Sequence, residues 1–173
     1  MPQIFSQREK HTGRLVVGRK KQVYDSTDDT LKHIRRVQEI LLTFQSELTK
    51  RAIHHDSTKL TPPEKPIFDK ATPRLKSSTY GSRQYEKMLK ELAPALKHHY
   101  SCHRHHPENH PRGVADMTLV DLVELLADWK SASERHDNGS LALSIEQGRK
   151  RFKLDEVSVT MILENTRSSF GWN

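Results

Sequence analysis

From Asp25 to the C-terminus the apolar residues recur at helical spacing, and no stretch alternates in the manner of a half-buried strand. Ile34, Val37, Leu41, Phe44 and Leu48 mark one face of a first helix. Ser26 and Thr27 can cap it, and Asp28 and Asp29 suit the positive end of its dipole. A second helical stretch carries Arg51 to Asp56 and gives way at Leu60-Thr61-Pro62-Pro63, because proline disfavours the α conformation in the residue before it. A polar, proline-containing connector is expected from there to about Ser82. Tyr85, Met88, Leu89, Leu92 and Leu96 stripe the next helix, and the stripe continues onto His99 and His103, so both rings should face inward; Pro94 can kink this helix. Thr118 can cap a helix with Leu119, Leu122, Val123, Leu126 and Trp129 as its apolar face. Asp121, Glu124 and Asp128 share an adjoining face of it. Two further helices are expected, from Ser140 to Phe152 and from Asp155 to Ser169. The pattern predicts an all-α bundle.

Residues 1–24 differ: they are polar and basic, with Arg14-Leu15-Val16-Val17-Gly18 and Gln22-Val23-Tyr24 flanking a Gly-Arg-Lys-Lys turn. The chain therefore reads as a basic N-terminal arm or hairpin, 1–24, followed by one helical domain, 25–173. Hydrophobic residues make up only 34% of it, so the core should be lean, and a bound ion or a second copy of the chain is expected to supplement it. The single cysteine, Cys102, excludes an intrachain disulfide and a Cys2His2 zinc module. No apolar run has the length of a membrane span or the pattern of a signal peptide, so the expectation is a cytoplasmic protein with no membrane partner. A net charge of +7 favours an anionic ligand. The basic clusters Arg19-Lys20-Lys21 and Arg149-Lys150-Arg151 lack interleaved aromatics, which sets nucleic acid below a small anion as the ligand.

Of the 11 histidines, six fall between His98 and His110. Imidazole and carboxylate ligands without cysteine point to a catalytic rather than a structural metal. His33 lies on the first helix in line with Val37, Ile40 and Phe44; His55 and Asp56 end the second; Asp128 sits on a later helix. Two imidazoles and two carboxylates from three helices would leave positions open for water and substrate. The residues alone leave rivals: His33 as a histidine at the edge of the core, Asp128 as a surface carboxylate paired with Lys130 or Arg135, and His54 in place of His55.

This order of a histidine, a His-Asp pair and a distant helical aspartate resembles the HD-domain superfamily of metal-dependent phosphohydrolases, above all its small nucleotide-hydrolysing members. The matching pieces are Leu31-Lys32-His33-Ile34, His54-His55-Asp56-Ser57-Thr58-Lys59-Leu60 and Leu126-Ala127-Asp128-Trp129. The run from His55 to Lys59, with Glu64 and His105-His106-Pro107-Glu108, is also similar to small HD-like proteins of phages. The resemblance covers residues 27 to 137. It implies an HD-like helical bundle in which His33, His55, Asp56 and Asp128 hold a divalent ion (zinc, manganese, cobalt, iron or magnesium). His99 and His106 would then hold either a second ion or the substrate's phosphate. It further implies a nucleotide substrate, most readily a deoxynucleoside mono- or triphosphate, with Arg36 and Lys59 on the phosphate. Lys59 and Glu64 would be catalytic, Glu64 as the proton-transfer group. Many members place that glutamate within a turn of the His-Asp pair, where this chain has Ser57 and Thr58. Glu124 is placed to orient a ligand histidine, and His98, His103, His105 and His110 to surround the site. Other classes remain open: a non-catalytic module that binds nucleotide or nucleic acid, or a di-iron oxygenase on the same kind of fold. A homo-oligomer is expected.

Overall fold

The computed structural model describes residues 24–76, 83–135, 139–154 and 159–172, and every regular element among them is helical. These are α1 (Thr27–His54), α2 (Glu64–Lys76), α3 (Arg83–Cys102), α4 (Leu119–Ser133), α5 (Leu141–Phe152) and α6 (Val159–Ser169). Single 3-10 turns lie at Ser57–Leu60, Pro107–Asn109 and Gly113–Asp116. The expected arm or hairpin falls, apart from Tyr24, outside the described residues, as do the side chains of Tyr85 and Leu89 and the residues 155–158. No helix among the described residues is long and apolar enough to cross a membrane.

The chain divides into two compact units, up to Gln38 and from Glu39 onward. In the first, Asp25 caps α1: its carboxylate accepts from Thr27 N at 3.0 Å and from Thr27 Oγ1 at 2.6 Å. Tyr24 donates to Asp29 a turn further on. The first and second helical stretches of the sequence reading are a single helix, since Thr49 and Lys50 contain nothing that ends one. No residue of α1 is buried, so the apolar stripe of Ile34, Val37, Leu41 and Phe44 is exposed and only Leu48 is half-buried.

In the second unit, the connector expected after Pro63 is instead α2. Pro66 falls in its first turn, where no intrahelical donor is needed, but Pro73 lies inside it. Burial outweighs the proline cost: α2 packs along α3, with Ala71 of α2 and Met88, Leu92 and Ala95 of α3 all buried. The main apolar cluster lies elsewhere, where Leu126 of α4, Leu141 and Ile145 of α5 and Leu163 of α6 close on Val114 and Leu154. Ser140 caps α5, accepting from Leu143 N. One face of α4 (Leu122, Leu126, Trp129) therefore serves the core, leaving Asp121, Glu124 and Asp128 on another.

α5 meets α4 at Gly148, where the Trp129 ring lies across the glycine and stacks at 14° to Phe152. A Cβ at this position would fall inside contact distance of the indole. Gly148→Ala gains about 1 kcal/mol of helix propensity but must displace a packed ring, at about 1–3 kcal/mol. The expected net result is a thermal midpoint lower by roughly 2–6 °C; an unchanged or higher midpoint would show that the indole is free to swing away.

Candidate metal centre

α1 ends at His54, and Asp56 then adopts the left-handed conformation (φ 54°, ψ 15°) that swings the chain into the 3-10 turn from Ser57 to Leu60. Aspartate tolerates this region better than most L-residues, and a non-glycine residue held there costs on the order of 1 kcal/mol. The turn is closed by Lys59 N donating to Asp56 O at 2.9 Å, and Lys59 Nζ returns onto Asp56 Oδ2 at 2.5 Å. The histidine loop is pinned just as locally. Asn109 Nδ2 donates to the carbonyls of Tyr100 and Ser101 at 2.8 and 3.0 Å, satisfying the end of α3, and His110 Nε2 bonds Arg104 O at 2.8 Å. His105 and His106 lie between these anchors. The third wall is α4, whose start is fixed by a capping box between Thr118 and Asp121.

Three rings turn the same way. His99 Nδ1 donates to Glu64 Oε2 at 3.0 Å and His55 Nδ1 to Glu124 Oε1 at 3.0 Å. His105 Nδ1 lies 3.1 Å from that same oxygen, off the line of a good hydrogen bond. Their Nε2 atoms converge on Asp56: His99 at 3.1 Å and His105 at 3.6 Å from Oδ1, and His55 at 3.7 Å from Oδ2. His55 Nε2 is also 3.7 Å from Asp128 Oδ1. Behind His99 and His55 a carboxylate holds the Nδ1–H and so turns Nε2 toward Asp56, the arrangement found around bound metal ions. Thr58 Oγ1 shares hydrogen bonds with His103 Nε2 at 2.7 Å and His99 Nδ1 at 3.3 Å, so the buried His103 supports the ring of His99.

Asp56 Oδ1, His99 Nε2, His105 Nε2 and His106 Nε2 are buried without a hydrogen-bond partner. Unpaired polar atoms of this kind are rare, since each costs about 1–3 kcal/mol. Here they are concentrated: one ligand atom from each of Asp56, His99, His105 and His106 lies within 4.8 Å of the others. A second group, His55, Asp56 and Asp128, meets the same criterion and shares Asp56. A third, His55, His105 and Glu124, contains the bracing carboxylate. The donor set of neutral imidazole and carboxylate fits a divalent ion in either of the first two groups.

The charge state follows from this packing. Burial alone would raise the carboxyls of Asp56 and Glu124, but His99 and Lys59 at the first, and His105 and His55 at the second, hold both well below the usual range. Asp128 and Glu124 flank His55 and raise its imidazolium to about 10. Burial, with His105 and His99 alongside, pushes His106 down to about 3, leaving a bare imidazole.

The residues singled out from sequence fall in different places. His55, Asp56, Asp128, His99 and His106 come together. His33 and Arg36 lie on the exposed part of α1 in the first unit, and neither ligand group includes His33. His105, read as a surrounding residue, stands in the first group instead. Glu64 is fully buried, accepting from His98 Nδ1 at 2.7 Å as well as from His99. Arg51 was read only as part of a helical run, yet it bonds both Asp121 and Glu124, at 3.0 and 3.1 Å. Its spacing four residues before His55 on the C-terminal part of α1 was the available signal.

Two outcomes follow. Asp56→Gly and Asp56→Ala both delete the shared carboxylate, but only glycine relieves the left-handed backbone. The glycine variant should be the more stable by about 1 kcal/mol in chemical denaturation, and equal stabilities would refute strain at this position. Because His55 carries a proton at neutral pH, an ion bound there must displace it. Manganese affinity, measured by calorimetry, should then rise about tenfold per pH unit between roughly pH 6 and pH 8; a flat profile would show that no proton leaves.

Neither a curated protein nor a solved structure matches the chain. A family of unknown function (DUF5662) matches residues 22–169, and it is to this family that the chain belongs.

Proposed function

We propose that the protein is a metal-dependent phosphohydrolase acting on a nucleotide. The observation that carries this reading is the convergence on Asp56 of the buried, unpartnered ligand atoms of His99, His105 and His106, beside a second, half-buried group that shares its carboxylate. Asp56, His99, His105 and His106 would hold one divalent ion, and His55, Asp56 and Asp128 another. Ions so held supply an activated water and charge neutralisation at a phosphoryl group. The reaction is hydrolysis: water oxygen bonds to phosphorus, the ester P–O bond breaks, and the water proton ends on the departing oxygen.

The chain's own residues then have distinct parts. Glu124 and Glu64 fix the tautomers of His55 and His99. Lys59, on Asp56 Oδ2, offers a cation to the phosphoryl oxygens. Glu64, enclosed behind His98 and His99, acts on substrate through His99 and not by direct proton transfer. The net charge of +7 supports an anionic substrate. The exposed apolar stripe of α1 supports a homo-oligomer, and the absence of a membrane-crossing helix among the described residues agrees with a protein that works without a membrane.

The test is metal analysis of the purified protein with a phosphate-release screen over nucleoside mono-, di- and triphosphates and cyclic nucleotides, supplying manganese, cobalt, zinc and magnesium in turn. Activity on at least one nucleotide is expected, abolished in His55→Ala and Asp56→Ala. Glu124→Gln should lose about 10–100-fold in metal affinity. Turnover that survives loss of Asp56 would refute the site. Bound metal without phosphate release would leave a binding module or, if the metal is iron with its optical bands, an oxygenase.

A further inference from the structure

Between the last turns of α1 and the outward face of α4 runs a cleft of about 430 Å³, lined by Leu48, Arg51, Ala52 and His55 on one side and by Val123, Glu124, Ala127, Asp128 and Ser131 on the other. All of it lies within the second unit. His55 and Asp128 belong to the three-residue ligand group, so the cleft leads onto the group that would leave more positions open, three protein ligands against four in the other. That group is also the more exposed: its members are all half-buried, whereas His99 and His105 of the other are fully buried.

The chemistry of the walls constrains what can lie in the cleft. Leu48, Ala52, Val123 and Ala127 are apolar, and the two alanines leave space where larger side chains would fill it. Arg51 is the one arginine or lysine of the lining, and its guanidinium is already shared among Glu47, Asp121 and Glu124. The carboxylates of Asp128 and Glu124 stand in the same lining. A chain of further phosphates laid along this cleft would be desolvated against apolar walls, near two carboxylates and without a free cation, which is unfavourable on every count. An uncharged, compact body with an apolar face would instead gain by burial.

Resting on the phosphohydrolase reading above, we propose that this cleft receives the uncharged, ring-bearing body of a phosphate monoester, whose single phosphoryl group is held at His55, Asp56 and Asp128. Among nucleotides this selects the monophosphates over the triphosphates. The geometry also makes Ala52 and Ala127 the residues that set how large that body can be.

The experiment is calorimetric binding of three phosphonates to the full-length protein loaded with manganese: methylphosphonate, phenylphosphonate and 3-phosphonopropionate. All present the same head group, and only the phenyl compound carries an apolar ring. Phenylphosphonate should bind about tenfold or more tighter than methylphosphonate, and the propionate no tighter than the methyl compound. Ala127→Trp, at an exposed position, should bring the phenyl-to-methyl ratio to about one by filling the cleft. Val123→Lys, which places a free cation there, should shift preference toward the propionate. Manganese content serves as the folding control for both variants. Equal phenyl and methyl affinities, a preference for the propionate in the unmodified protein, or an undiminished phenyl advantage in Ala127→Trp would each overturn the proposal while leaving the phosphoryl site standing. Failure of all three phosphonates to bind the manganese-loaded protein would instead remove the phosphohydrolase reading, and this proposal with it.

Discussion

Two carboxylates buried on one face of α4 organise the second unit. Asp121 accepts from Thr118 N and Oγ1 at 2.9 and 2.8 Å, from Arg104 Nη2 at 3.0 Å and from Arg51 Nη2 at 3.0 Å. One turn later Glu124 takes the other arm of Arg51 and turns its second oxygen to His55 and His105. An isolated carboxylate at these depths would be expelled or protonated. Here burial is outweighed by Arg104 and Thr118 at Asp121, and by His105 and His55 at Glu124, and both stay ionised. The network joins α1, the histidine loop and α4 in a protein whose apolar content leaves few contacts to spare.

That one fact propagates into the chemistry. An ionised carboxylate can only accept, so the imidazole nitrogen facing it must carry a proton and the opposite nitrogen is the one left to bind an ion, once any proton on it is displaced. Glu124 does this for His55, and Glu64, on a different helix, for His99. The convergence of Nε2 atoms on Asp56 is therefore a consequence of where two glutamates are buried. The left-handed turn at Asp56 does the rest: it ends α1 and puts a carboxylate where both ligand groups can share it. Thr58, itself bonded to His103, reaches the same Nδ1 of His99 that Glu64 holds.

How much of this could be read from the sequence depends on whether a residue sits in a periodic element. His99 and His103 continue the stripe of α3, so their burial was legible, as was Thr118 as the cap of α4. Glu124 and Asp128 were legible as neighbours on one face of α4 because 3.6-residue spacing leaves little choice. The loop after Cys102 has no period, and nothing in the order of His105, His106 and His110 says which rings turn inward. That is decided by Asn109 and His110 binding the carbonyls of residues 100, 101 and 104. α2 was hidden by its prolines, since local propensity opposes a helix that only packing on α3 sustains. Glu64, at the start of that helix, consequently looked like a free acid after a turn instead of a buried brace.

The concentration of unpaired atoms around Asp56 bears on stability as well as on chemistry. Four buried polar atoms without partners in one small volume weigh against a fold whose whole margin is typically about 5–15 kcal/mol. Rotating the ring of His99 would not relieve its Nε2, because Glu64 holds the far edge of that ring. Nor can Asp56 move away without giving up the backbone turn that carries the 3-10 segment. Anything that satisfies these atoms in the folded state, and finds no such arrangement in the unfolded chain, stabilises the fold by the full free energy of its binding. The same geometry that makes the site competent for an ion thus couples the folding of the second unit to its occupancy.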